Sequence, residues 1–184
     1  MDQGENSYRL FLQGDDDGLV QIIRDYKDGL ILYLNGYVQN LTTAEDLAEE
    51  TFLKLALRKP RFLANSSFRT WLYAIGRNLA LDYRRHNKKR EISLEDSPEA
   101  ILEEMDLEKA YINQEEKREV HRVMKQLKQE YREVLWLVYF EKFNYREAGR
   151  IMGRTAHSTE TLAYRARRAL KAKLIEEGFC YEEL

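Results

Sequence analysis

Cysteine occurs once in the 184 residues, at Cys180, which excludes a disulfide framework and a thiolate metal cluster. Near the end of the chain that lone thiol reads as incidental rather than as a redox switch. Proline appears twice and glycine nine times, and β-branched runs are scarce, so the composition predicts an all-helical protein. No apolar run approaches the roughly 18 residues that cross a bilayer, and the N-terminus has no apolar signal-peptide core. A cytoplasmic protein without direct membrane insertion is expected. His86, His121 and His157 are too scattered to share a helix face. Neither a nucleophile–base pair nor a phosphate-binding loop is present, so no catalytic residue, metal or cofactor is expected. Asp15, Asp16 and Asp17 form an acidic run, but no second cluster is placed to close a cation site, and they read as a turn and helix cap.

Charge is abundant but segregated. The net charge is −2, from 30 basic and 32 acidic residues. Residues 1–68 carry a net −4, 69–90 a net +6 and 91–120 a net −8, while 121–150 and 151–184 carry +3 and +1. The total would not suggest a polyanion partner; the distribution does. In the basic stretch, Arg69, Arg77, Arg84, Arg85, Lys88, Lys89 and Arg90 stand against Asp82 alone. At helical spacing Trp71, Leu72, Ile75 and Leu79 form an apolar stripe expected to face a core. Arg69, Tyr73, Arg77, Ala80 and Arg84 follow one another on the opposite side, with Asn78 and Arg85 beside them. Cations interleaved with an aromatic ring and an amide suit a nucleic-acid backbone and an unstacked base. From residue types alone, a solvated basic face is an equally good reading.

The flanking segments organise the rest. The residues through Gly18 are polar and expected to fray. Val20, Ile22, Ile23, Tyr26, Leu30, Leu34 and Tyr37 keep helical spacing, with Gly29 and Gly36 as points of close packing. Thr43 is expected to begin a second helix with Asp46 as a short capping box. This helix runs over 44–58 and buries Leu47, Ala48, Thr51, Phe52 and Leu55. Its acidic side chains fit a docking surface or a plain solvated face. Pro60 ends it, and 64–67 form a polar loop in which Ser67 can cap the basic helix. Residues 91–115 are acidic, contain Pro98 and predict a linker. Beyond it, 131–140 are apolar on nearly all sides, as at the centre of a small bundle. Asn144 and Glu147 make a cap and N3 pair, Gly153 stands where a helix would end, and Thr155 can cap a basic helix through about Leu174. A short helix, a glycine turn and a longer basic helix suggest a helix-turn-helix.

Taken together, three ordered segments resemble a known family over nearly the whole chain. Ala-Glu-Asp-Leu-Ala-Glu-Glu-Thr-Phe-Leu-Lys-Leu from Ala44 and Phe-Arg-Thr-Trp-Leu-Tyr-Ala-Ile-Gly-Arg-Asn-Leu-Ala-Leu-Asp-Tyr-Arg-Arg from Phe68 resemble domain two of bacterial sigma factors. Tyr-Arg-Glu-Val-Leu-Trp-Leu-Val-Tyr-Phe-Glu-Lys-Phe-Asn-Tyr-Arg-Glu-Ala from Tyr131, then Tyr-Arg-Ala-Arg-Arg-Ala-Leu from Tyr164, resemble domain four. Two such domains without the others are the layout of the extracytoplasmic-function group.

The resemblance implies two small helical domains, at 1–90 and 116–184, joined by the acidic linker 91–115. It implies docking on core RNA polymerase, at the β′ clamp helices and the β flap, with Asp46, Glu49, Glu50 and Phe52 as contacts. Asn65 and Ser66 would lie in a loop around a flipped minus-ten base. Arg69, Tyr73, Arg77 and Asn78 would hold the strand, and Arg84 and Arg85 upstream duplex phosphates. The linker would pass through the polymerase cleft and RNA exit channel. His157, Ser158, Thr161, Tyr164, Arg165 and Arg168 would read the minus-thirty-five element, and an anti-sigma partner is expected.

The second half departs from the family pattern at Arg154, Thr159, Glu160, Leu162 and Ala163. A register that buries Leu162, Ala166 and Leu170 would restore its core. The rival reading is a stand-alone helix-turn-helix regulator, or a sigma-like protein that has lost polymerase docking.

Overall fold

The computed structural model describes residues 3–88, 120 and 122–178, so the expected acidic linker at 91–115 lies outside the described residues. Among the described residues all regular structure is helical. The chain divides into two compact units, an N-terminal and a C-terminal one.

The N-terminal unit holds α1 (Gln3–Leu12), α2 (Asp17–Val38), α3 (Leu41–Arg58) and α4 (Phe68–Lys88). α2 packs on each of the other three, and α3 also packs on α4. Gln3–Leu12 are helical rather than frayed. Gly4, Ser7, Tyr8 and Phe11 share one face and are buried, so two small residues and two rings replace the aliphatic stripe that would have marked the helix. Tyr8 and Phe68 meet at 5.4 Å, Tyr8 and Trp71 at 5.4 Å, and Phe62 and Trp71 at 5.2 Å. This tilted aromatic cluster ties α1 to the start of α4.

Helix starts follow short-range chemistry, with one correction. Within the acidic run Asp15 supplies a side-chain acceptor at the head of α2, taking the Asp17 N–H at 3.1 Å. α3 starts at Leu41 rather than Thr43, because Asn40 caps it by accepting from the Thr43 N–H at 2.9 Å. Close packing does not fall at Gly36. A Cβ on Gly36 would meet nothing within 4 Å, whereas one on Gly18 would stand 2.3 Å from the Ser7 carbonyl oxygen. A Cβ on Gly76 would stand 3.0 Å from Leu30, where α4 comes against α2.

The C-terminal unit contains a helical stretch at 122–124, then α5 (Gln129–Leu135), a π-helical turn (Trp136–Phe140), α6 (Tyr145–Met152) and α7 (Ala156–Glu176). α5 packs on α7, and Val123, Val134, Leu137, Ala166 and Leu174 are fully buried. The expected α-helix over 131–140 widens at Trp136. There the Glu141 N–H reaches the Trp136 carbonyl at 3.0 Å, and Trp136 and Phe140 stack at 4.6 Å and 6°. Arg122 donates to Glu177 at 2.6 Å, and Gln126 donates to the other oxygen of the same carboxylate. These bonds clasp the end of α7.

Gly18→Ala should lower the stability of the N-terminal unit by roughly 1–3 kcal/mol, because its methyl group would meet backbone. Gly36→Ala, in open space on the same helix, should raise it by about 1 kcal/mol. Denaturant titration of the two variants would check the contrast. Burial also pushes the Tyr8 hydroxyl up to about 12 from its ordinary 10.0, and the hydroxyl donates to the Pro60 carbonyl at 2.7 Å. The fold therefore favours the protonated phenol. That stability is fully present below about pH 10 and is lost as pH rises towards 12. Melting curves across alkaline pH should fall less steeply for Tyr8→Phe than for the unaltered chain.

Candidate nucleic-acid interface

Ser67 caps α4, its hydroxyl accepting from the Thr70 N–H at 3.2 Å and meeting the Thr70 hydroxyl at 2.7 Å. The loop before it holds Ala64 in the left-handed region at φ 51°. Asn65 is exposed and Ser66 half-buried beside it.

The inward face of α4 is rotated from the expected one. Phe68, Leu72 and Ala80 are each 0% exposed and Gly76 is buried, so the core row runs at i, i+4, i+8 and i+12. Trp71, Ile75 and Leu79 are half-buried at its margin. Tyr73 and Ala80, expected to face outward, are interior. Tyr73 is 1% exposed and its ring lies 5.3 Å from Tyr33 of α2. In this conformation it is a packing residue and offers no face to a base. A phenol can stack on a nucleobase or fill a core, and spacing alone does not distinguish the two.

The cations remain towards solvent, and two of them are organised by tyrosines. The Arg69 guanidinium sits over the Tyr73 ring at 5.4 Å. Arg77 donates through Nε to the Tyr37 hydroxyl at 3.0 Å. Asn78 and Arg85 are exposed, Arg69, Arg77 and Arg84 half-buried. Arg85 pairs with Asp82 at 3.3 Å, but both side chains are largely exposed, so the pair contributes little. Tyr37 is the member that sequence reasoning took only for core, since its helical spacing said nothing of a hydroxyl aimed at α4.

α3 presents a different chemistry. Asp46, Glu49 and Glu50 are exposed, and Phe52 is 6% exposed, buried as its spacing predicts, while still lining the groove that these carboxylates border. The apolar side chains that reach solvent on this helix are Leu53 and Leu57, 55% and 74% exposed. Between α2 and α3 lies a groove of about 590 Å³ lined by Leu19, Ile23, Lys27, Glu49, Leu53 and Ala56 among others.

In the C-terminal unit, Asn144 and Glu147 close a reciprocal box. The Asn144 side chain accepts from the Glu147 N–H, and Glu147 accepts from the Asn144 N–H, both at 3.0 Å. Gly153 takes φ 68° at the turn, and Thr155 caps α7 by accepting from the Ser158 N–H at 3.2 Å. α7 buries Thr159, Leu162, Ala163, Ala166, Leu170 and Leu174, the register that restores the core. Thr159 fits because its hydroxyl donates to the Thr155 carbonyl at 2.9 Å. His157, Tyr164, Arg165 and Arg168 are exposed, and Ser158 and Thr161 half-buried, with Glu160 exposed among them. Arg168 lies over the Tyr164 ring at 6.0 Å, and Arg154 is held by Glu130 at 2.7 Å.

The N-terminal unit with its basic outer face and the helix-turn-helix unit each match a known family over most of their length. Sigma-70 region 2 covers residues 22–90 and Sigma-70, region 4 covers residues 117–170. The ECF RNA polymerase sigma factor SigM of Bacillus subtilis is 30% identical over 152 residues, spanning 83% of this chain and 92% of SigM. The chain belongs to the ECF RNA polymerase sigma factors.

Other relatives agree. The RNA polymerase sigma factor YlaC of B. subtilis is 29% identical, spanning 86% of this chain and 92% of YlaC. ECF RNA polymerase sigma factor SigC of Mycobacterium tuberculosis is 33% identical, spanning 74% and 72% of the two chains. Among solved structures, CnrH in complex with the cytosolic domain of CnrY superposes with a TM-score of 0.70 at 20% identity, covering 97% of this chain and 100% of that one. The sigma factor RpoE of Bartonella quintana, in complex with the anti-sigma factor NepR, gives 0.62 at 20% identity, covering 84% and 95%. At that identity the likeness is one of fold. The sigma factor's first helix, α1, precedes the segment matched by region 2.

The helix-turn-helix of the sigma factor depends on Gly149. A Cβ there would stand 2.8 Å from the Arg154 carbonyl oxygen and 2.9 Å from the Thr159 hydroxyl. Gly149→Ala should destabilise the C-terminal unit by about 1–3 kcal/mol. Proteolysis of the variant should release fragments from that unit before the N-terminal one; equal resistance would contradict the packing described.

Proposed function

We propose that this sigma factor binds core RNA polymerase through the acidic face of α3, opens the promoter with α4 and reads an upstream duplex element with α7. The observation that carries the reading is the separation of charge on one small unit. Asp46, Glu49 and Glu50 lie on α3 and Arg69, Arg77, Arg84 and Arg85 on α4. An acidic rim around exposed Leu53 and Leu57 suits a protein partner. The cations of α4, with Asn78 and the loop at Asn65 and Ser66, suit an unpaired strand and its phosphates. Phe52 and Tyr73 support these surfaces from within. In the C-terminal unit, His157, Ser158, Thr161, Tyr164, Arg165 and Arg168 would face the major groove, with guanidinium, imidazole and hydroxyl groups matched to base edges and phosphates.

On this reading the protein is a non-enzymatic, cytoplasmic subunit whose chemistry is carried out by the polymerase. Domain two occupies 1–90, the acidic segment 91–115 joins it to domain four at 116–184, and that segment's charge suits a cleft built for RNA. An anti-sigma protein that covers the docking surfaces would hold it inactive; the fold neighbour RpoE is itself seen in complex with the anti-sigma factor NepR.

The test is reconstitution with core polymerase and a promoter carrying a pre-melted minus-ten bubble. The full chain should form a holoenzyme that binds the bubble, and Arg77→Ala should impair opening of the duplex promoter at least about tenfold while leaving core binding intact. Specific duplex binding without any complex with core would instead support a stand-alone helix-turn-helix regulator.

A further inference from the structure

The hydroxyl of Tyr37 has no part in the reading above. Tyr37 lies in the last turn of α2 and is 5% exposed. Its ring meets Tyr33 edge-on at 5.6 Å, and the two hydroxyl oxygens are 3.4 Å apart. Tyr33 also packs on Tyr73 at 5.3 Å, and Tyr73 carries the Arg69 guanidinium over its ring. Three interior tyrosines from two helices thus form one cluster that touches Arg69 at one end and Arg77 at the other. The link to Arg77 is a directed bond, from Nε to the Tyr37 hydroxyl at 3.0 Å.

A bond at Nε acts on the part of the guanidinium that sets the orientation of its plane. With Nε given to Tyr37, a phosphate that takes two parallel hydrogen bonds from this guanidinium takes them from its terminal amino groups. A long cation otherwise loses rotamer freedom when it binds, and that cost weakens the contact. Helical spacing puts Arg69 and Arg77 about 12 Å apart along the axis of α4, so the pair forms a rigid gauge only if both are oriented. An aliphatic residue at position 37 would fill the same space without orienting anything.

We propose that Tyr37 is a positioning residue for promoter opening: it presets the Arg77 guanidinium for the separated strand. The proposal rests on the reading of Arg77 as a strand contact, and the experiment distinguishes the two. Holoenzyme would be assembled from core polymerase and full-length Tyr37→Phe, Arg77→Ala, Arg77→Lys and the corresponding double variants, with a promoter that the unaltered holoenzyme opens. Opening would be read as permanganate reactivity of minus-ten thymines, core binding as the holoenzyme dissociation constant, and folding as the melting temperature.

Tyr37→Phe keeps the ring and its contact with Tyr33. It should reduce opening several-fold, up to about tenfold, with core binding and melting temperature unchanged. Adding it to Arg77→Ala or to Arg77→Lys, which lacks Nε, should cause no further loss. If Tyr37→Phe opens the promoter like the unaltered protein while Arg77→Ala is impaired, the positioning role is overturned and the strand contact stands. Losses that simply multiply in the double variants overturn it equally, because the hydroxyl would then act by another route. Full opening by Arg77→Ala overturns both.

Discussion

The packing of α4 through Gly76 is the constraint on which the N-terminal unit depends. A helix that must carry arginines on one side has little apolar surface left to hold it in place. This one solves the problem by close approach: with no side chain at Gly76, Leu30 and Thr51 come within contact of the position a Cβ would take. Phe68, Leu72 and Ala80 then align on the same row and are fully buried. The depth of that contact decides the rest. It draws Tyr73 into the interior beside Tyr33, and it brings Arg77 within reach of Tyr37. Arginine orientation is therefore a consequence of core packing rather than of the exposed surface.

The C-terminal unit uses the same device at a turn. Gly149 lets the backbone around Arg154 and the Thr159 hydroxyl approach α6, Gly153 adopts the left-handed turn and Thr155 caps the next helix. Each element is local, yet together they fix which side of α7 is buried. The polar Thr159 in that interior is satisfied by the Thr155 carbonyl, so no stabilising contact is lost by its hydroxyl. What faces outward is consequently a mixed set, Glu160 beside His157, Tyr164, Arg165 and Arg168. A carboxylate there repels phosphate and can accept from cytosine N4, so base edges rather than backbone are its compatible neighbour.

Much of this was legible from residues alone where the physics acts over four residues or fewer. Ser67, Thr155 and the Asn144–Glu147 pair were readable because a cap is a contact between near neighbours. The register of α7 was readable because Leu162, Ala166 and Leu170 are unambiguously apolar. The face of α4 was not, since Trp71, Ile75 and Leu79 make a stripe as convincing as the one at Phe68, Leu72, Gly76 and Ala80. Choosing between them needs the shape of α2 and α3, a long-range property. α1 was missed because glycine and serine occupy half of its buried face. Phe52 was read as buried, and it is, while it also lines the groove beside Asp46, Glu49 and Glu50.

The two outward faces of the N-terminal unit impose opposite electrostatic demands on one small fold. Asp46, Glu49 and Glu50 would repel a nucleic acid, and the arginines of α4 would repel a basic protein surface. Placing each set on its own helix lets one unit present both without mutual neutralisation. Asp82 is the one carboxylate within the basic stretch; it is engaged by Arg85 and is itself exposed, so solvent screens it. The separation also restricts where changes can be tolerated. A change of charge on α3 leaves the α4 cations and their partners untouched, whereas the interior tyrosines at 37 and 73 are in direct contact with Arg77 and Arg69. The arginines at 69 and 77 are thus held from inside, through contacts with Tyr73 and Tyr37, as well as by what surrounds them at the surface.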